Sequence, residues 1–74
     1  MMPLLMTKPG TRVKVVSIRG GHNLKNKLAG IGIYEGTEIE VISNQGRGPL
    51  ILSINGNRVG VGMGIAFRII VQPV

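Results

Sequence analysis

Few side chains in this sequence could bind a metal ion or exchange a proton as acid and base. The 74 residues include one histidine, His22, three acidic residues, Glu35, Glu38 and Glu40, and no cysteine. Ferrous iron favours a combination of imidazole and carboxylate ligands, but only Glu38 and Glu40 are predicted to share a strand face. A lone histidine in a glycine-rich turn is typical of a solvated or capping residue. We therefore expect no metal site, no cofactor and no catalytic residue, which argues against an enzyme.

A glycine-rich segment, Gly60 to Gly64, superficially resembles a nucleotide-binding loop. Such a loop requires a strand, a tight turn and a full helix whose N-terminus meets the phosphate. Met63 to Phe67 predicts only a single helical turn. These glycines are better explained by close approach of the backbone at the corner of a small barrel.

The sequence is strongly basic, with a formal net charge of +6. Such a charge suggests an acidic partner, which could be nucleic acid, an anionic membrane or an acidic protein surface. The 9 lysines and arginines are scattered along the chain, as on a surface that keeps a small apolar protein soluble. Proteins that bind single-stranded nucleic acid stack bases on aromatic side chains. Only Tyr34 and Phe67 are aromatic, and we expect Phe67 in the core, so the sequence predicts only weak, salt-sensitive and sequence-independent nucleic-acid binding.

No apolar run in the sequence approaches the ~18 residues of a membrane span. The apolar segment Met1 to Met6 is too short for a signal peptide and is followed by no small-residue cleavage site. We therefore expect the mature domain to begin here and not to insert into a membrane.

Short β-branched runs separated by glycine predict a small all-β fold. The first strand, Thr11 to Arg19, has an apolar face that changes sides near Val15 and Val16, which predicts a bulge or a bend. Asn55-Gly56 is the strongest hairpin signal in the chain. The other strands are predicted at Glu38 to Ser43, Leu50 to Ile54, Arg58 to Gly62 and Arg68 to Gln72.

One short helix is predicted between the first two strands. Asn23 is the expected N-cap, with His22 as the alternative one residue earlier. Leu24, Leu28 and Ile31 recur at i, i+4 and i+7 and form one apolar stripe.

The same helix is predicted to end in a hydrophobic clasp. Gly32 is the expected left-handed residue that stops the helix, after which Ile33 folds back on the helix end. We expect Leu24, Leu28, Gly32 and Ile33 to anchor the helix to the rest of the domain.

About five short strands and one helix in a chain of this length predict a single domain, residues 1–74, with a partly open barrel of the SH3-like or OB-like kind. OB folds usually carry their helix between the third and fourth strands. Here the short helix follows the first long strand, which favours the SH3-like barrel.

Four segments of the chain resemble, in order and spacing, the FeoA family of ferrous iron transport accessory proteins. They are KPGTRVKVVSIRGG, LKNKLAGIGIYEGTEIEV, GPLILSINGNRVGVG and AFRIIV. The resemblance extends from about Leu4 to Val71, and the same module resembles the C-terminal SH3-like domain of iron-dependent transcriptional repressors. It implies an SH3-like barrel in the cytoplasm, with a role beside the FeoB-type ferrous iron permease, a membrane protein with a cytoplasmic GTPase region. It implies no catalytic residues.

Two kinds of function remain open at this point. The first is a protein–protein interaction module that engages the GTPase region of the permease and is thereby held at the periphery of the inner membrane. The alternative is a basic small barrel that binds nucleic acid, or a module like that of the iron-dependent regulators. A domain that binds proline-rich peptides is disfavoured, because two aromatic residues distant in sequence do not line a groove.

Strand parity leaves some apolar side chains pointing away from the core. The positions predicted to face inward are Val13, Val15, Ile18, Leu24, Leu28, Ile33, Ile39, Val41, Leu50, Leu52, Ile54, Val59, Val61, Ile65, Ile69 and Val71. Ile51 and Ile70 are left on the outside, and Met1 to Met6 has no obvious place. A contiguous apolar patch usually marks an interface. We expect Ile51 and Ile70 to lie close together as a contact face, used for self-association or for the permease, unless the N-terminal segment covers them.

Overall fold

Six antiparallel strands form one sheet in the computed structural model, which describes residues 1–74. The strands are β1 (Met2–Pro3), β2 (Arg12–Ile18), β3 (Glu38–Ser43), β4 (Leu50–Ile54), β5 (Asn57–Val61) and β6 (Ile69–Pro73). The helical elements are a 3₁₀ turn (Leu4–Met6), α1 (His22–Gly30) and α2 (Met63–Ala66). None of them has the length and apolar character of a membrane-spanning helix. Neighbours in the sheet follow the order β1-β6-β2-β3-β4-β5. The small all-β architecture is as predicted, with β1 as a strand beyond the five expected.

The core lies on the inner face of the sheet and follows from the alternation of apolar residues along each strand. Fifteen buried apolar residues form one cluster: Leu4, Val13, Val15, Ile18, Leu28, Ile33, Ile39, Val41, Leu50, Leu52, Ile54, Val61, Ala66, Ile69 and Val71. Three predicted inward residues, Leu24, Val59 and Ile65, are only partly buried and pack against the edge of this cluster. Leu4 and Ala66 are the members that the sequence pattern did not predict.

The predicted bulge in the first long strand is confirmed. The register of β2 against β6 shifts between Val15 and Ser17, which makes Val16 the extra residue. Val15 and Ile18 are consequently both buried, although a regular strand would place residues three apart on opposite faces.

The start of α1 differs from the prediction. Gly21 is the N-cap residue, and its carbonyl oxygen accepts a hydrogen bond from the backbone N–H of Lys25 at 3.1 Å. His22 is the first helical residue and Asn23 the second, and no side chain caps the helix. The predicted asparagine cap was wrong because the extended backbone ends at Gly21, whose ψ is −176°, so helical geometry is already established at Asn23.

The end of α1 is a Schellman motif. The N–H of Ile33 donates to the carbonyl of Leu28 at 2.8 Å, and the N–H of Gly32 donates to that of Ala29 at 3.0 Å. Gly32 has a φ of +91°, a backbone conformation that is strained for a residue with a β-carbon. This reversal sends Ile33 into the core beside Leu28 and leaves Ile31, which was predicted in the apolar stripe, 41% exposed.

The N-terminal segment is part of the fold. Leu4 is completely buried, and β1 pairs with β6. The side-chain amide of Asn44 donates to the carbonyl of Leu5 at 2.9 Å and to that of Thr7 at 2.7 Å. These bonds fasten the segment to the loop after β3. The sequence pattern does not predict this placement, because a short apolar run that contains proline shows no strand alternation.

Candidate interaction surface

An apolar and basic surface lies where the start of the chain meets α2 and β6, and we call it the Phe67 face. Its members are Met1, Met2, Phe67, Ile70, Arg19 and Arg68. They line two shallow grooves of about 390 and 660 Å³ that share Arg19 and Phe67. Apolar anchors accompanied by arginine are the composition that distinguishes protein interfaces from other surfaces.

The short helix α2 places Phe67 on the outside. Phe67 is the C-cap residue, and its N–H donates to the carbonyl of Met63 at 3.0 Å. Ala66, one position earlier, is the residue that this turn buries, and Phe67 is 60% exposed. The expectation that Phe67 packs in the core was therefore wrong, because the small Ala66 occupies the inward position of the turn.

A backbone hydrogen bond holds the two arginines of the Phe67 face on neighbouring segments. The N–H of Arg19, just after β2, donates to the carbonyl of Arg68, just before β6, at 2.7 Å. Both residues are exposed. Guanidinium groups form paired hydrogen bonds with carboxylates, so the face is suited to an acidic partner surface.

The N-terminal strand completes the Phe67 face next to Ile70. Ile69 and Val71 are buried, so Ile70 between them points outward and is half-buried. Pro3 lies opposite Ile70 in the sheet. The N-terminal segment thus covers Ile70 in part and adds Met1 and Met2 beside it.

Ile51 does not lie next to Ile70, contrary to the expectation. Ile51 is on β4 and Ile70 on β6, and β2 and β3 lie between these strands. Across the sheet alone, three strand spacings of about 4.8 Å amount to roughly 14 Å, and the residues are also offset along the strands. Alternation predicts which face a side chain occupies but not the order of the strands, which is why the two could not be placed from the sequence. That either residue contacts a partner stays a prediction.

The three glutamates gather in a second groove that shares no lining residue with the Phe67 face. This groove of about 520 Å³ also contains Tyr34 and Arg12. In the sheet, Lys14 lies opposite Glu38 and Arg12 opposite Glu40, so each of these carboxylates faces a basic neighbour. No group of three or more histidine or acidic residues is close enough together to hold a metal ion.

The glycine-rich segment Gly60 to Gly64 forms the end of β5 and the beginning of α2. α2 has four residues. A helix of one turn cannot supply the aligned N-terminal N–H groups that a phosphate-binding loop uses.

Comparison with known proteins finds similarity over nearly the whole chain. Residues 2–73 match the family model described as the FeoA domain. A curated protein of Methanocaldococcus jannaschii, provisionally named Fe(2+) transport protein A, is 38% identical over 72 residues, which make up 97% of this chain and 87% of that protein.

Solved structures share the fold. The crystal structure of an iron uptake regulatory protein, FeoA, matches with a TM-score of 0.90 and 38% identity, covering 99% of this chain and 96% of the other. The crystal structure of FeoA from Stenotrophomonas maltophilia, complexed with zinc and described as an SH3 domain protein, matches with a TM-score of 0.82 and 22% identity over 97% of this chain and 91% of the other. The predicted SH3-like fold is confirmed.

Proposed function

The chain belongs to the FeoA domain family, and we propose that it is an accessory protein of ferrous iron transport that binds the cytoplasmic GTPase region of a FeoB-type iron permease. In this proposal it works in the cytoplasm, at the inner membrane only through its partner, and neither catalyses a reaction nor holds resident iron.

The observation that carries the proposal is the Phe67 face. A phenylalanine that is 60% exposed costs solubility and is the kind of residue that becomes a binding anchor. Arg19 and Arg68 flank it, and both are exposed. Arginine and aromatic residues dominate the energetics of protein interfaces, so we assign the permease contact to this face.

The test is recovery of the permease from detergent-solubilised membranes on the immobilised protein. We expect Phe67→Ser to lower the recovered permease by about tenfold or more, because truncating an interface anchor costs about 2 kcal/mol or more. Tyr34→Ser is the matched control, since Tyr34 is also an exposed aromatic residue but lies in the glutamate groove.

Failure of the wild-type protein to recover the permease would contradict the proposed function itself. Recovery that is lost with Tyr34→Ser and kept with Phe67→Ser would retain the function and move the contact to the glutamate groove. Melting curves of both variants establish that each is folded before the recoveries are compared.

One observation favours a second candidate function, the binding of single-stranded nucleic acid. The exposed Phe67 lies beside Arg19 and Arg68, and an aromatic ring with adjacent cations is how such proteins stack bases. Phe67 was predicted to be buried, which would have left no ring for a base to stack on, but it is exposed. The salt dependence considered in the Discussion separates the two functions.

A further inference from the structure

The sheet has one long free edge, on β5. β5 is the outermost strand at one end of the sheet, and none of the backbone hydrogen bonds outside the regular elements involves its five residues. No side-chain hydrogen bond reaches β5 either. At the other end, β1 has only two residues, one of them Pro3, which lacks an N–H. Only the β5 edge can therefore extend the sheet.

The hairpin fixes which groups of β5 face outward. Asn55 and Gly56 have φ values of 52° and 83° and form a two-residue loop, so the flanking pair, Ile54 and Asn57, exchanges both hydrogen bonds. Hydrogen-bonded pairs then alternate along the ladder.

This alternation leaves Arg58 and Gly60 in the pairs that are not hydrogen-bonded, opposite Ser53 and Ile51. The N–H and C=O groups of Arg58 and Gly60, four in all, point away from β4. They are available to another strand.

The side chains along this edge indicate which residue types an added strand should carry. An exposed Arg58 would lie directly opposite one residue of an added antiparallel strand and favours a carboxylate there. Gly60 has no side chain, and a β-carbon built on it would lie 3.7 Å from Cδ1 of Ile51. A large apolar residue opposite Gly60 could therefore reach across it and pack on Ile51, which is half-buried and points outward.

We propose that the β5 edge binds an extended, acidic segment of a partner protein by strand addition, with a large apolar residue opposite Gly60 and an acidic residue opposite Arg58. In an antiparallel strand the apolar residue precedes the acidic one by two positions. A second copy of this chain fits the edge less well, because each copy carries a net charge of +6 and two Arg58 side chains would lie near each other. This site does not depend on the proposed function and is separate from the Phe67 face.

The test uses the full chain and the synthetic peptide Ac-Ser-Thr-Phe-Thr-Glu-Thr-Ser-NH2 at up to about 1 mM, a concentration suited to an edge with four hydrogen bonds. We expect NMR shifts and slowed hydrogen exchange at the amides of Arg58 and Gly60. N-methylation of the peptide's glutamate removes its backbone N–H, one of the hydrogen-bond donors, and should abolish both the NMR shifts and the slowed exchange. A peptide with lysine in place of glutamate should bind several-fold more weakly.

Three protein variants test the same contacts from the side of the protein, and one of them, Gly60→Ala, is a control. Gly60→Pro removes an outward N–H that β4 does not use, and proline is tolerated at such an edge position, so it should fold and lose the peptide. Gly60→Ala keeps that N–H, so it should still bind the peptide and lose only the part of the affinity that comes from contact of the phenylalanine with Ile51. Arg58→Glu should reverse the preference, binding the lysine peptide several-fold better than the glutamate peptide.

Several results would overturn the proposal. Amide shifts confined to residues outside β5, or an unchanged preference in Arg58→Glu, would show that the edge is not the binding site. Sedimentation that shows a dimer of the chain, with an edge the peptide cannot enter, would assign the edge to self-association instead. If Gly60→Pro does not fold, the Arg58→Glu reversal decides alone.

Discussion

Gly32 shows how directly one residue can determine a local structure. Its φ of +91° is disfavoured for any residue with a β-carbon, whereas the added carbon itself would meet only Cγ2 of Ile54 at an ordinary 3.6 Å. We therefore expect Gly32→Ala to lower the free energy of unfolding by about 1–2 kcal/mol, from backbone strain and not from a clash. Chemical denaturation followed by circular dichroism measures this change.

Gly30 is the matched control for that measurement. It lies in the last turn of α1, its φ is not positive, and a β-carbon there would meet nothing within 4 Å. Gly30→Ala should raise the free energy of unfolding by about 0.5–1 kcal/mol, because alanine loses less backbone entropy in a helix. If the two substitutions changed stability in the same direction, the left-handed conformation of Gly32 would not be the cause.

Whether the protein binds iron also depends on single residues, its few possible metal ligands. The only histidine, His22, begins α1, while Glu38 and Glu40 lie on β3 opposite basic residues of β2. We expect anaerobic calorimetric titration with ferrous iron to show no stoichiometric site of micromolar affinity. A site of that affinity that disappears in His22→Ala or Glu38→Gln would contradict this expectation.

At the scale of elements, α1 is attached to the sheet through one end. Leu28 is 1% exposed and Ile33 completely buried, whereas the rest of the helix contributes only the half-buried Leu24. We expect Leu28→Ala to cost about 2–5 kcal/mol of unfolding free energy, the range for a buried leucine.

Ile31→Ala is the comparison, because Ile31 is three residues away on the same chain segment but exposed. It should change stability by no more than about 0.5 kcal/mol. Thermal and denaturant unfolding of the two variants side by side checks both values. An equal loss in both would mean that α1 docks through its apolar stripe after all.

The elements also show what a sequence can and cannot predict. β3 and β4 have the bounds that alternation predicted, and the bulge in β2 followed from a change of apolar face. These features are local. The order of strands in the sheet and the burial of Leu4 depend on contacts between residues far apart in the chain, which periodicity does not encode. Ile51 and Ile70 were therefore assigned correctly to the outer face of the sheet, but the expectation that they lie close together was wrong.

At the scale of the whole molecule, the net charge of +6 should cause weak binding to any polyanion. We expect binding to a single-stranded oligonucleotide to fall steeply between about 50 and 200 mM salt, because it depends on the release of counterions. Fluorescence anisotropy with oligonucleotides of different sequence measures it. If charge alone is responsible, Phe67→Ala should have little effect, since it changes no charge.

Binding that persists at physiological salt and is lost in Phe67→Ala would instead establish base stacking on the Phe67 face. That result would favour the nucleic-acid function over the permease accessory function. Because both candidate functions assign a role to Phe67, the persistence of oligonucleotide binding at physiological salt is what separates them.

The position of β6 between β1 and β2 has a consequence for how the protein is made. A ribosome synthesises the chain from its N-terminus, at about 5–20 residues per second in cells. β1 and one side of β2 have no partner until β6, the last of the strands, has been synthesised. A nascent chain that has not yet reached β6 therefore cannot close the barrel, because β1 and one side of β2 lack their partner strand. Termination of translation before Ile69 should yield a chain that is degraded, not a smaller version of the domain.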